Sequence, residues 1–309
     1  MSDSWSPAQI PDQDGRTVLI TGTTRGGLGH HTALELARCG ARVVLAGRSR
    51  ARLEETAATI RGELPQARLE QLEVDLASLD SVRSAAGRAS ALGAVDVLVN
   101  NAGVMAPPYR RTPDGFESQM ATNHLGPFLL TGLLLPQLTQ SGDARVVTVS
   151  SVAHRSARSA PTGDPRMDDG RYRRWPAYAA SKLANLLFTF EADRRLAAAG
   201  LPVRAMAAHP GLAGTHLAAN GQFGRSRGGP ATILDAAVKA VSQSAAAGAW
   251  PTLLAATADI PGSTYAGPGG FRELRGRPRL VGCSALACDE GAQRRLWEVS
   301  EQAVGLRWP

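Results

Sequence analysis

Thr17-Val-Leu-Ile-Thr21-Gly22-Thr-Thr-Arg25-Gly26-Gly27-Leu28-Gly29 runs a short β-branched segment into four glycines and then into His30 to Cys39, where apolar residues recur at helical spacing. Glycines permit a tight turn and close backbone approach, and a helix N-terminus offers free N–H groups to a pyrophosphate. A glycine cluster alone is weak evidence. A strand before it, a helix after it and a second strand ending at Ala46 make a dinucleotide turn the expected reading, with a flexible turn as the alternative.

Outward from this turn the same rhythm repeats. Arg42 to Ala46, Arg68 to Val74, Val95 to Val99, Arg145 to Val149 and Val203 to Ala207 read as short buried strands. Between them, Ala51 to Arg61, Ser78 to Leu92, Phe116 to Leu138 and Pro176 to Ala199 carry helical periodicity. Alternation of continuous apolar strands with helices predicts an α/β fold, a doubly wound parallel sheet covered on both faces. One domain is expected over 17–305, with a polar N-terminal tail at 1–16 and a short tail at 306–309. Ligands of such sheets bind at the carboxyl ends of the strands. Ser156 to Trp175 and Asn220 to Pro230 break the rhythm; they are rich in Arg and Gly and read as long loops, with Ser156 to Trp175 and His216 to Pro230 expected to form a mobile rim over the pocket and a solvated excursion as the alternative for the first.

The second predicted strand ends at Ala46-Gly47-Arg48. An acidic residue at this point commonly binds the ribose hydroxyls of NAD, whereas an arginine accommodates a 2′-phosphate, so NADP(H) is expected in preference to NAD(H). Arg25 is a second candidate for that phosphate. Farther on, Tyr178-Ala-Ala-Ser-Lys182 sets a phenol and an ammonium one helical turn apart, on one face. That is proton-transfer chemistry. A nearby cation is expected to lower the tyrosine pKa from its ordinary value near 10.

Bulk properties narrow the partners. The chain has 309 residues, 43% hydrophobic but only 5% aromatic, which suits Ala-rich helices packed closely on a β-branched sheet. A net charge of +7 raises nucleic-acid binding, yet the arginines are scattered and form no basic helix or aromatic platform, so an anionic small molecule is the better partner. Cys39, Cys283 and Cys288 are an odd count without histidines at ligand spacing, which argues for thiols in a reducing compartment and against a disulfide framework or a metal. Residues 1–16 lack the features of a signal peptide, and no run of about 18 apolar residues occurs; a cytoplasmic protein away from membranes is expected.

Taken as an ordered set, Thr21-Gly22 with Gly27 and Gly29, Asp75-Leu76, Asn100-Asn-Ala-Gly103, Asn123, Ser150-Ser151, Tyr178 with Lys182, and His209-Pro-Gly211 resemble the short-chain dehydrogenase/reductase superfamily, from about Thr17 to Gly305. Tyr178 to Phe188, Asn123-His-Leu-Gly126 and Tyr265-Ala-Gly-Pro-Gly-Gly270 look like its retinol-dehydrogenase-like and protochlorophyllide-reductase-like branch. The resemblance implies a Rossmann-type fold and a nicotinamide cofactor held by Gly22, Arg25, Gly27, Leu28, Gly29, Arg48, Asp75, Leu76, Asn101, Ala102, Gly103, Tyr178, Lys182, Pro210, Gly211 and Thr215. It implies that Tyr178 exchanges the proton, Lys182 tunes it and binds the nicotinamide ribose, Ser151 polarises the substrate oxygen, and Asn123 binds a water linking Lys182 to solvent. Ser150 is expected to be structural, and His124, His154 and His209 to serve packing or loop structure.

Two departures from the family pattern stand out. The glycine turn holds one more residue between Gly22 and Gly27 than is usual, and the interval from Ser151 to Tyr178 is long, as in this branch. The apolar start of membrane-anchored retinol enzymes is missing, so a retinoid substrate is not expected. The resulting expectation is an NADP-dependent oxidoreductase that interconverts a small-molecule carbonyl and an alcohol, with homo-oligomers common among relatives. Reduction of an activated C=C bond and a non-catalytic nucleotide-sensing or scaffold role are the alternatives; the joint presence of Asn123, Ser151, Tyr178 and Lys182 argues against the last.

Overall fold

The structure is a computed structural model that describes residues 5–167, 170, 172–213 and 243–309. Eight strands, β1 (Thr17–Thr21), β2 (Arg42–Gly47), β3 (Leu69–Glu73), β4 (Val97–Asn100), β5 (Ala144–Val149), β6 (Val203–Ala208), β7 (Tyr265–Pro268) and β8 (Pro278–Leu280), form one sheet in the order β3-β2-β1-β4-β5-β6-β7-β8. All neighbours are parallel except β7 and β8. The order reverses between β1 and β4, which places a crevice at the carboxyl ends of those strands. This is the expected doubly wound sheet, extended by two strands whose sequence did not announce them. Tyr265-Ala-Gly-Pro268 is short and ends in residues that disfavour strands, and the antiparallel β8 closes an edge, where such residues are tolerated.

Alternation along the strands divides the core in two. Leu19, Val44, Leu98 and Val146 face one cluster, while Val18, Ile20, Val43, Leu45, Val97, Val99 and Val147 face the other. The first cluster is covered by α3 (Leu79–Ala89), α5 (Gly126–Leu133), α7 (Arg174–Ala198) and α9 (Glu290–Val304); the second by α1 (Leu28–Arg38), α2 (Arg50–Glu63) and α8 (Ala245–Thr257). Among the described residues, no helix is long and apolar enough to cross a membrane.

The helix expected over Phe116 to Leu138 is interrupted. It consists of α4 (Ser118–Met120), a π-helical turn over Ala121–Leu125, α5, and α6 (Leu135–Gln140). Pro127 has no N–H to give to the carbonyl four residues back, and Gly126 N–H reaches Ala121 O instead, so the turn widens there. Asn123 sits in the widened turn.

The ends expected to be tails are packed where they are described. Trp5 is 7% exposed and belongs to the second cluster; Trp308 is equally buried in the first, with its ring 4.5 Å from Trp297 and 5.3 Å from Phe128. Their apolar area outweighs the polar residues around them. The described part of the first long loop makes contacts with the body of the domain. Tyr172 Oη donates to Pro107 O at 2.8 Å, and Glu117 N–H to Pro165 O at 3.0 Å. The second expected loop, 220–230, lies outside the described residues.

Candidate active site

At the end of β1, Gly22 has φ +73° and a Cβ there would stand 2.8 Å from Ala102 Cα, so the turn and the segment after β4 touch backbone to backbone. Asn101 Nδ2 donates to Thr21 O at 2.7 Å and to Gly22 O at 3.1 Å, while the N–H groups of Asn101 and Ala102 converge on Thr21 Oγ1. The Asn101 Nδ2 group therefore fastens the turn. A Cβ on Gly29 would meet Asn101 Nδ2 at 2.6 Å, so helix α1 approaches this knot closely. The extra residue of the turn is absorbed at Gly26, in the left-handed region at φ +72°, with Gly27 N–H closing onto Thr24 O. Gly27 is the N-cap of α1 and brings no side chain to it; the first turn of the helix has no acidic residue. The N-terminal end of α1 thus has the shape and polarity to accept a pyrophosphate.

Along the crevice, Arg48 is exposed just past β2, with no salt bridge among the described residues. Arg25 is already engaged, in a 3.0 Å ion pair with Glu55 of α2, a solvent-exposed contact of small value. A Cβ at Gly47 would reach only Leu53 Cδ2, at 3.3 Å. Asp75 binds its own backbone through Oδ1 and Ala77 N–H at 3.0 Å, and Ser78, rather than Asp75, caps α3. The Leu76 side chain is buried in the core and its carbonyl lies against Gly126, so its side chain is not brought to the crevice.

The catalytic candidates come together beyond β4 and β5. Tyr178 and Lys182 lie on one face of α7, with Nζ 5.9 Å from the tyrosine ring centre and exposures of 7% and 4%. The Tyr178 side chain faces Ser151, two residues past the end of β5, whose Oγ accepts Ala153 N–H. Ser150 Oγ donates to Lys182 O at 2.7 Å. Asn123 holds Val104 at both its N–H and its carbonyl, and its Nδ2 donates to Ser181 Oγ. Gly103 is next to this group: a Cβ there would stand 3.1 Å from Asn123 Oδ1 and 3.4 Å from Lys182 Nζ. One carbonyl, Val149 O, accepts both Lys182 Nζ at 2.9 Å and Asn185 Nδ2 at 3.0 Å. Asn185, unremarked as a site residue in the sequence, is one turn beyond Lys182.

The electrostatics correct one expectation. Burial pushes the Tyr178 phenol above its ordinary range, only partly offset by the Ser151 side chain. Burial also pulls Lys182 down to about 8. Removing charge from water outweighs the attraction between two groups whose polar atoms point to different partners. In the protein alone, the tyrosine is held protonated.

Pro210 and Gly211 follow β6. Gly211 is left-handed, at φ +63°, with Leu274 O 2.5 Å from where its Cβ would be. Gly211 N–H donates to His209 Nδ1, so the proton of this neutral ring is on Nε2, 3.2 Å from Glu273 Oε2. Burial lowers the His209 pKa, in keeping with a neutral ring. A Cβ at Gly267 would come within 2.0 Å of that Nε2, which explains the glycine in the Tyr265-to-Gly270 motif. Thr215 lies outside the described residues.

Residues 16–163 match the short chain dehydrogenase family. Over its length the chain is similar to human retinol dehydrogenase 13, 39% identical over 98% of this chain and 88% of that protein. It is also similar to mouse polyprenol dehydrogenase, 40% identical over 98% and 86%. Among solved structures, an uncharacterised protein from Mycobacterium paratuberculosis is 44% identical with a TM-score of 0.81, covering 99% of each chain. The chain accordingly belongs to the short-chain dehydrogenase/reductase family, in its retinol-dehydrogenase-like branch, and is an NAD(P)-dependent oxidoreductase.

Proposed function

We propose that the protein interconverts a carbonyl and an alcohol, using NADP(H) in preference to NAD(H), with Tyr178 exchanging the proton. The observation that carries this reading is the buried pair Tyr178 and Lys182, with Nζ 5.9 Å from the tyrosine ring centre and bonded to Val149 O at the carboxyl end of β5, beside Ser151. A bound nicotinamide would supply the hydride. Gly22, Gly27, Leu28 and Gly29 would hold its pyrophosphate at the start of α1, and Arg48 a 2′-phosphate. Lys182 has donor capacity beyond its bond to Val149 and would reach the nicotinamide ribose.

In the reducing direction Ser151 donates to the substrate oxygen and Tyr178 delivers the proton to it, for which a tyrosine held protonated by burial is suited. Asn123, held in the π turn beside Gly103, keeps a polar route open toward Lys182. The names of the relatives, a retinol and a polyprenol dehydrogenase, direct the choice of substrate toward alcohols and aldehydes on apolar chains, without singling out a retinoid. A cytoplasmic, reducing setting is proposed from the odd count of three cysteines in a long chain. The test follows NADPH oxidation over a panel of aldehydes and ketones of graded chain length. Cofactor binding without turnover across the panel would overturn the reading.

A further inference from the structure

His154 is fully buried, three residues past Ser151, in a 3-10 turn over Val152–Ser156. Its ring packs edge-on against Tyr265, with centres 5.6 Å apart. Both nitrogens are used: Nδ1 lies 2.7 Å from Ser151 O, and Ser284 N–H points at Nε2 from 3.2 Å. A backbone N–H can only donate and a carbonyl can only accept, so this network assigns one tautomer. Nε2 carries no proton, and Nδ1–H donates to Ser151 O. Burial pulls the ring down to about 4, which keeps it neutral and the assignment intact at ordinary pH.

We propose that His154 is a positioning residue for Ser151, holding its carbonyl from behind so that Oγ stays aimed at Tyr178 and the substrate oxygen. This rests on the reading of Ser151 given above. The Ser151 backbone is gripped on two sides. Its carbonyl takes His154 Nδ1–H and also the His154 backbone N–H at 3.1 Å, while its Oγ takes Ala153 N–H at 3.2 Å. With an acceptor site of Oγ occupied, the serine hydroxyl proton is left for Tyr178 or the substrate. On its far side His154 is fixed by Ser284, in the segment that precedes α9. The imidazole therefore ties two parts of the chain that the sequence separates widely, and the catalytic serine is at one end of that tie. A side-chain displacement of about 1 Å can cost on the order of a hundredfold in rate.

Two amide variants separate the two ends of the ring. Asn in place of His154 keeps a donor near the Nδ1 position, and Gln keeps an acceptor near the Nε2 position. His154→Asn is expected to retain kcat within about threefold, and His154→Gln to lose on the order of 10- to 100-fold, with KM for NADPH and thermal stability similar in both. The same pair is then made in a Ser151→Ala background and read by kcat on residual turnover. There the Gln variant should add no further loss, because the residue it acts through is gone. Equal kcat in the Asn and Gln variants, or a Gln loss that persists in full without Ser151, would overturn the proposal. Full turnover by Ser151→Ala alone would instead remove the role of Ser151, which keeps the two failures distinct.

Discussion

Lys182 Nζ donates to the carbonyl oxygen of Val149 at 2.9 Å from a site with 4% exposure. An ammonium in that position is desolvated, with Val149 O as its acceptor among the described residues, and its pKa falls to about 8 from 10.5. The unfolded chain then binds the proton more readily, so stability rises with pH between those two values and the cost is fully present below about 8. Lys182→Met is expected to abolish turnover and yet raise stability at pH 7 by on the order of 1–3 kcal/mol. Urea unfolding at pH 7 and pH 9.5 checks both halves. A variant less stable than wild type at pH 7 would contradict this account.

Tyr178→Phe removes one hydroxyl from a well-packed site. Turnover should fall by on the order of 10²- to 10⁴-fold while the melting temperature changes little. A second measurement addresses ionisation in the protein alone: the ultraviolet difference between wild type and variant should show no phenolate from Tyr178 until well above pH 10, because burial raises its pKa. A phenolate appearing below pH 10 would mean that Lys182 dominates after all.

Arg48 is exposed and makes no salt bridge among the described residues, whereas Arg25 is paired with Glu55. NADPH should bind roughly 10- to 100-fold more tightly than NADH, from a charge-assisted contact of about 1.5–3 kcal/mol that weakens as salt rises. Arg48→Ala should erase most of the preference with little effect on NADH, and Gly47→Asp should reverse it by repulsion. Titration of both cofactors decides between the arginines: a preference unchanged in Arg48→Ala would move the phosphate contact to Arg25.

Gly22→Ala tests the knot beneath the glycine turn. A methyl group would meet Ala102 Cα at 2.8 Å on a backbone at φ +73°, so the turn must shift. A loss of about 1–3 kcal/mol in stability, together with weaker binding of both cofactors, is the expected outcome. Unaltered cofactor affinity would mean that the turn is not part of the site.

Much of this was legible because the decisive residues are local. Thr17 to Gly29 carries its strand, turn and helix signals in sequence, and Tyr178 and Lys182 share a face through helical spacing alone. What was not legible depends on distant partners. Asn185 joins Lys182 only through a shared acceptor, Val149 O, and Asn101 Nδ2 finds its partner in Thr21 O, 80 residues away. β7 was hidden by Gly267 and Pro268, and Gly267 is required by the ring of His209, just past β6. Trp5 and Trp308 are single apolar residues in polar surroundings, without a period to reveal that they are buried. The sign of the Tyr178 shift needed the depth of the site, which no spacing encodes.

The ring of Trp308 completes an aromatic cluster with Phe128, Phe188 and Trp297. Its members are drawn from the middle and the far end of the chain, so during synthesis the helices over that face of the sheet remain without their keystone until residue 308 has left the ribosome. Among the described residues, the core cluster of the opposite face has no member beyond Ala266. The two halves of the core therefore become available at different times, and the half containing α7, with Tyr178 and Lys182 on it, is the later one to be sealed.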